Sequence, residues 1–382
     1  MKSSSLIAVP AKAWGALWTF PSILLSSFAI GWGAEAAQYF ISKGLALAIL
    51  AWFQTLPEFA VEALISWHRD TPLMLANLTG SLRLLVGFGW PMIYFVRAFL
   101  CREKKQKVRF DPIILDKEYS IEIVSLLLPL LYFTFIYIKG ALQFYDGMIL
   151  LLLYLGYLWM IQKLPPEEAE EAVDMPYIPR KIISLSPLLR NLSIVVLFLG
   201  GGLMLMFTVE PFLQSLLALA SLLGISQFVF VQWISPFLSE FPEKLTAFGW
   251  ARREGKAPMA LMNMVSSNIN QWTLLVALMM IIFSCSAGHL AGFQFDDHQR
   301  LELALTLVQS FLGVLVLMQL KMCWYEAVFL FVLWFIQFIC PSSRNWMLKV
   351  YLLFILFYVF RILLNKNFEV LKVFRKAVLS GG

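Results

Sequence analysis

Two stretches of this chain read as one element written twice. The first is Gln54–Arg83, QTLPEFAVEALISWHRDTPLMLANLTGSLR, and the second is Ser239–Asn270, SEFPEKLTAFGWARREGKAPMALMNMVSSNIN. Pro57-Glu58 aligns with Pro242-Glu243 at an offset of 185. Pro72, Asn77 and Ser81 align with Pro258, Asn263 and Ser267 at an offset of 186, so the second copy has one inserted residue in its connecting loop. Each copy sets a proline inside an apolar run and follows it at once with a glutamate. Proline lacks a backbone donor and clashes with the carbonyl one turn earlier. In lipid, carbonyls freed in this way must face protein or a water-lined cavity.

Composition settles the surroundings of these stretches. The 382 residues are 60% apolar and 14% charged, against about half and a quarter in an average soluble protein. A soluble surface this apolar would aggregate. A soluble enzyme, a disordered chain and a nucleic-acid-binding domain are therefore excluded. Eleven apolar runs are long enough to cross a bilayer, near 14–38, 44–66, 73–98, 120–139, 146–162, 192–218, 222–250, 257–286, 300–320, 323–340 and 346–364. The expected fold is an all-α polytopic membrane protein with about ten or eleven transmembrane helices. The two copies fall in runs 2–3 and 7–8, an odd number of spans apart. They cross in opposite directions and form an inverted repeat, an arrangement common in secondary transporters.

The repeat divides the chain into a first half at 1–163 (motif 54–85), an acidic linker at 164–189, and a second half at 190–341 (motif 239–271). Residues 342–382 add an extra span and a basic tail. The net charge of +6 is read as topology. Most Lys and Arg collect on the side opposite the N-terminus, notably in 97–117, 252–256 and the tail. The positive-inside bias then puts the N-terminus outside and the C-terminus in the cytoplasm, as expected for a bacterial-type inner (plasma) membrane. The tail, basic with interleaved apolar residues, is expected to lie on the anionic leaflet.

The carboxylates carry the functional argument. A charged group at the centre of a span is unfavourable by roughly 2.5–3.5 kcal/mol on insertion scales. Glu58, Glu62, Glu240 and Glu243 all fall in the two repeat helices. Arg83 and Lys244 offer a purely structural alternative, by neutralising two of them in buried pairs. Two carboxylates with proline-freed carbonyls and nearby hydroxyls would give the oxygen shell that a hard cation such as Ca²⁺ requires.

At these residues the chain resembles the calcium/cation antiporter superfamily, most closely its sodium/calcium exchanger branch. The shared pattern is Pro-Glu after polar residues, then Asn and Ser about twenty residues on, at matching distances in both halves. The resemblance implies exchange of Ca²⁺, or a similar divalent cation, for Na⁺ by alternating access. It makes Glu58 and Glu243 the central ligands, with hydroxyls or carbonyls from Gln54, Thr55, Ser81, Ser239 and Ser267. Asn77 and Asn263 would order the helices or line the site, and Gln271 falls at a further ligand position. The chain departs from the pattern at Leu85, where Gln271 stands in the second copy, at Arg83, and at Glu240, which replaces a small polar residue. Leu85 cannot ligate a cation. Glu240 and Glu62 are candidate proton carriers. The rival readings are proton-coupled exchange without Na⁺, and a non-transporting scaffold or sensor that keeps the fold.

No enzyme signature accompanies the repeat: HExxH, G-x-S-x-G and the phosphate-binding loop are all missing. No covalent cofactor is expected. The expected partners are inorganic cations and the lipid bilayer, with no nucleic acid and no protein partner that the sequence identifies. The cysteines Cys101, Cys285, Cys323 and Cys340 form no CxxC pair. His298 follows Asp296-Asp297 in a loop, which reads as solvated rather than as a metal site.

Overall fold

The computed structural model describes residues 12–38, 43–101, 110–162, 175–364 and 369–379, with the side chains of 38, 43–54, 369 and 377–379 outside that description. Apolar segments in lipid must satisfy their backbone internally, and helices do so. The helices run in chain order as α1 (Ala16–Gln38), α2 (Lys43–Trp67), α3 (Thr71–Leu84), α4 (Trp90–Leu100), α5 (Ser120–Lys139), α6 (Phe144–Ile161), α7 (Tyr177–Ile183) and α8 (Pro187–Leu222). They continue as α9 (Gln227–Ser239), α10 (Phe241–Ala251), α11 (Ala257–Asn270), α12 (Val276–Ala287), α13 (Asp297–Leu317), α14 (Trp324–Ile339), α15 (Arg344–Leu364) and α16 (Glu369–Leu379). Eight helical segments among the described residues are long and apolar enough to cross a membrane, including the extra C-terminal span at Pro341–Leu364. The segment expected to be a linker at 164–189 carries α7, and α8 already begins at Pro187. Its acidic cluster lies outside the described residues.

The inverted repeat has a backbone signature that the alignment did not anticipate. α3 and α4 form one continuous rod through a π-helical turn at Leu85–Gly89. α11 and α12 do the same through a π-helical turn at Gln271–Leu275, again at an offset of 186. In the first turn the Trp90 N–H reaches back five residues to the Leu85 carbonyl. Such turns interrupt the regular ladder and are frequent at functional positions.

The proline helices differ between the copies. α2 runs through Pro57 without a break. The run expected as one span over 222–250 is instead split at Glu240 into α9 and α10. The second copy carries Pro236 in the last turn of α9 and Pro242 in the first turn of α10. Two prolines six residues apart remove two donors from consecutive turns, where the first copy loses one. The Glu240 N–H closes the end of α9 by donating to the Pro236 carbonyl at 3.0 Å.

Two short ladders repeat the symmetry. β1 (Ile113–Ile114), before α5, pairs antiparallel with β4 (Lys321–Met322), after α13. β2 (Ala141–Gln143), after α5, pairs antiparallel with β3 (Gly292–Gln294), before α13. Each ladder takes one strand from each half of the chain.

The chain folds as two compact units, each built from pieces of both halves. Unit 1 comprises residues 1–80 and 165–243. In it α1 packs along α8 and α2, and α9 packs against α1, α2 and α8. α8, with 36 residues, is about 54 Å long. That exceeds a hydrocarbon core of about 30 Å, so the helix tilts or extends beyond it. Unit 2 comprises residues 81–164 and 244–382. There α13 packs on α5 and α15, α11 on α5, α12 on α6, and α14 on α4 and its π turn. α16 packs on α5 with Val370 fully buried.

Candidate cation-binding site

The carboxylates of both copies lie in unit 1. Thr55, Glu58, Glu62 and Ser66 on α2 are spaced three, four and four residues apart, which places them on one helical face. All four are fully buried. α9 carries a matching stripe of Gln232, Ser235 and Ser239, also fully buried; Glu240 caps its end and Glu243 stands in the first turn of α10, both equally buried. Two polar faces thus belong to helices that pack against each other within unit 1.

Local contacts fix this arrangement. Pro236 has no N–H to give to the Gln232 carbonyl one turn earlier. Against that carbonyl lies Gly80 of α3: a Cβ built on it would stand 1.7 Å from the Gln232 oxygen. The Gln232 side chain donates from Nε2 to Thr79 Oγ1 at 3.1 Å, and Thr79 Oγ1 donates to the Leu75 carbonyl at 2.6 Å. Gly80→Ala is therefore expected to push α3 off α9. The loss should be about 1–3 kcal/mol, as for overpacking elsewhere, and would be read as a lower thermal unfolding midpoint in detergent.

Glu62 has a partner of its own. Asn77 Nδ2 donates to Glu62 Oε2 at 2.9 Å. Glu62 Oε1 and Asn77 Oδ1 are buried and have no hydrogen-bond partner among the described residues. The position aligned with Glu62 in the second copy is Ala247, so this carboxyl–amide pair belongs to the first copy alone.

Unit 2 holds the remaining expected ligands. Ser81 on α3 and Asn263, Ser267 and Gln271 on α11 and its π turn are fully buried. Asn263, Asn270 and the Asn268 Oδ1 have buried side-chain atoms with no partner among the described residues. Buried amides without partners are rare, and each calls for a water, a bound ion or stored strain to account for it. The first copy has Leu82, Leu84 and Leu85 where the second has Asn268, Asn270 and Gln271. The two motif helices are therefore alike in backbone and unlike in donor atoms.

Arg83 pairs with Glu302 on α13, inside unit 2. The structural alternative, in which it neutralises a repeat glutamate, did not foresee this partner. Gln54 lies on α2 with its side chain outside the described residues. Among the described residues no three His, Cys, Asp or Glu side chains converge as a metal site. Asp296 instead caps α13, accepting from the Gln299 N–H at 2.7 Å, and His298 is exposed. Reading the sequence did not pick out Ser66, Gln232 and Ser235. Their three- and four-residue spacing with Glu62 and Ser239 was the available signal.

The sequence model of the sodium/calcium exchanger protein family matches residues 12–162 and 193–340. The chain belongs to the sodium/calcium exchanger family. Among solved structures, that of an H⁺/Ca²⁺ exchanger, CAX, is 31% identical, with a TM-score of 0.85, over 98% of this chain and 96% of its own. The sodium-calcium exchanger NCX_Mj, soaked with Na⁺ and Sr²⁺, has the same fold with a TM-score of 0.55. It is 21% identical over 87% of this chain and 99% of its own. No curated protein matches the chain. This exchanger is thus an integral membrane protein of a family of cation transporters, with the fold of two inverted repeats that its sequence implied.

Proposed function

We propose that this exchanger moves Ca²⁺, or a similar divalent cation, against H⁺, with Glu58 and Glu243 as its carboxylate ligands. Thr55 and Ser239 would add hydroxyls or carbonyls in unit 1. Ser81, Ser267, Asn263 and Gln271 on the motif helices are assigned as further polar ligands. Glu62, positioned by Asn77, and Glu240 are the proton carriers. The orientation with N-terminus outside and C-terminus in the cytoplasm of a plasma membrane follows from the basic-residue bias.

The observation that carries proton coupling is the Glu62–Asn77 pair. A carboxyl bonded on one oxygen and buried on the other is a group that exchanges a proton without needing a coordination shell. A Na⁺ site instead needs several oxygens at once, and the first copy offers Leu85 where the second offers Gln271. The similarity to an H⁺/Ca²⁺ exchanger across nearly the whole chain supports the same choice. Na⁺ coupling is the second reading, favoured by the amides Asn263, Asn268 and Asn270 of the second copy.

The test uses proteoliposomes with a pH-sensitive dye inside and Na⁺-free buffer. Ca²⁺ added outside should draw protons out and alkalinise the lumen, and added NaCl should change neither rate nor extent. Glu62→Gln should slow the dye response. A response that requires Na⁺ would transfer the assignment to Na⁺ coupling.

A further inference from the structure

Beyond the family's repeats, this chain carries an extra span, α15. It buries Arg344, Tyr351, Tyr358 and Ile362 and exposes Leu352, Leu353, Leu356, Phe357 and Phe360. The first three buried residues are spaced seven apart, a single stripe along the helix. The stripe is polar, which a simple lipid anchor would not need. Tyr358 donates to Glu326 Oε1 on α14 at 2.9 Å. Arg344 and Arg83 bond the two oxygens of one carboxylate, Glu302 on α13.

Arg83 lies two residues after Ser81 on the motif helix and two before its π turn. Its Nη1 also donates to Gln337 Oε1 at 3.1 Å. Gln337 Nε2 donates to Tyr351 Oη at 2.9 Å, and Tyr351 donates to Gln309 Oε1 at 3.2 Å. Gln309 Nε2 closes the circuit by donating to the main-chain oxygen of Arg83 at 2.9 Å. The backbone and side chain of the same residue are thus gripped where the α-helical ladder gives way to the π turn. The second copy has a local substitute. Thr273 donates to the Ile269 carbonyl within its own helix, and Trp272 packs edge-on against Phe133 with centroids 4.5 Å apart.

We propose that α15 is a working part of the exchanger: Arg344 and Tyr351 are positioning residues that act through Glu302, Gln337 and Gln309 on Arg83, and so hold Ser81 and the Leu85–Gly89 turn in the geometry that binds Ca²⁺. The inference rests on the reading of Ser81 as a cation ligand. A fork of guanidinium donors fixes direction as well as charge, and this circuit uses both. A span that only anchored the chain would change how much protein folds, not how tightly each folded copy binds its cation.

The test is Ca²⁺ uptake kinetics in proteoliposomes for the wild type, Arg344→Gln, Arg344→Lys, Tyr351→Phe and Glu58→Gln, with uptake normalised to folded protein. Coupling through such networks changes affinity by roughly 2–30-fold. The KM for Ca²⁺ should rise about fivefold in Arg344→Gln and two- to threefold in Tyr351→Phe, with kcat little changed, and Arg344→Lys should recover part of the loss. Tyr351→Phe removes a single hydroxyl and decides the matter if Arg344→Gln does not fold. An unchanged KM in Tyr351→Phe and in every folded Arg344 variant overturns the inference. Glu58→Gln separates the two levels. If it transports normally, the ligand assignment itself fails; if it is silent while the α15 variants keep the wild-type KM, only the positioning role fails.

Discussion

Glu58→Gln and Glu243→Gln are each expected to reduce Ca²⁺ uptake on the order of 100-fold or more while the protein stays folded. A divalent cation stripped of water needs six to eight oxygens, and charged carboxylates set the affinity of such sites over several orders of magnitude. Glutamine keeps the shape and one oxygen of glutamate but removes its charge. Both glutamates are fully buried in unit 1, so their loss of charge is not screened by water. The same burial makes the charged form costly to the fold, and the amide relieves that cost. Unfolding midpoints should therefore hold or rise as transport disappears. Uptake of radioactive Ca²⁺ together with thermal unfolding in detergent checks both halves of the expectation. A parallel loss of fold and transport would assign these glutamates to structure.

Glu302→Gln is expected to have the largest effect on stability. Glu302 is fully buried and bonds both Arg83 and Arg344, themselves fully or almost fully buried. Removing the shared carboxylate leaves two like charges in a low-dielectric interior. Breaking a buried pair in this way costs about 3–5 kcal/mol, which rivals the net stability of an ordinary domain. The variant should give little monodisperse protein on size-exclusion chromatography. The triple replacement Arg83→Leu, Glu302→Leu, Arg344→Leu should recover folding, because apolar groups of similar volume often substitute for a buried ionic cluster. It should not recover the wild-type KM, since Arg83 no longer holds its turn. Wild-type yield from Glu302→Gln would mean that the cluster is hydrated and its charges are screened.

How much of this was legible in the sequence depends on which forces are local. Eight of the spans follow from apolar length alone, and the inverted repeat from Pro57-Glu58 against Pro242-Glu243 together with the parity of the spans between them. Glu58 and Glu243 stand out because a carboxylate inside an apolar run is costly wherever the chain goes. The break at Glu240 was partly legible, since Pro236 and Pro242 both stand in that run. The π turns were not. A widened turn depends on donors that satisfy the displaced carbonyls, here Gln309 on α13, far off in sequence, for one copy and Thr273 within the turn itself for the other. The Arg83 cluster was hidden for a similar reason. Glu302 lies 219 residues from Arg83, and Arg344 lies 42 beyond Glu302, so no spacing rule joins them. The sequence therefore offered Arg83 only as an alternative counter-charge for the glutamates of the repeats, and its pairing with Glu302 came only from the fold.

The most direct test of the central claim is Ca²⁺ uptake driven by an imposed pH gradient in the absence of Na⁺. Vesicles loaded at acidic pH and diluted into alkaline buffer containing radioactive Ca²⁺ should accumulate it as protons leave. A protonophore together with a potassium ionophore should abolish the uptake, and Glu58→Gln and Glu243→Gln should give flat traces. Uptake from Na⁺-loaded vesicles with no response to the pH gradient would contradict proton coupling. Identical flat traces from wild type and both variants under either gradient would contradict transport itself and leave a scaffold that keeps the exchanger fold.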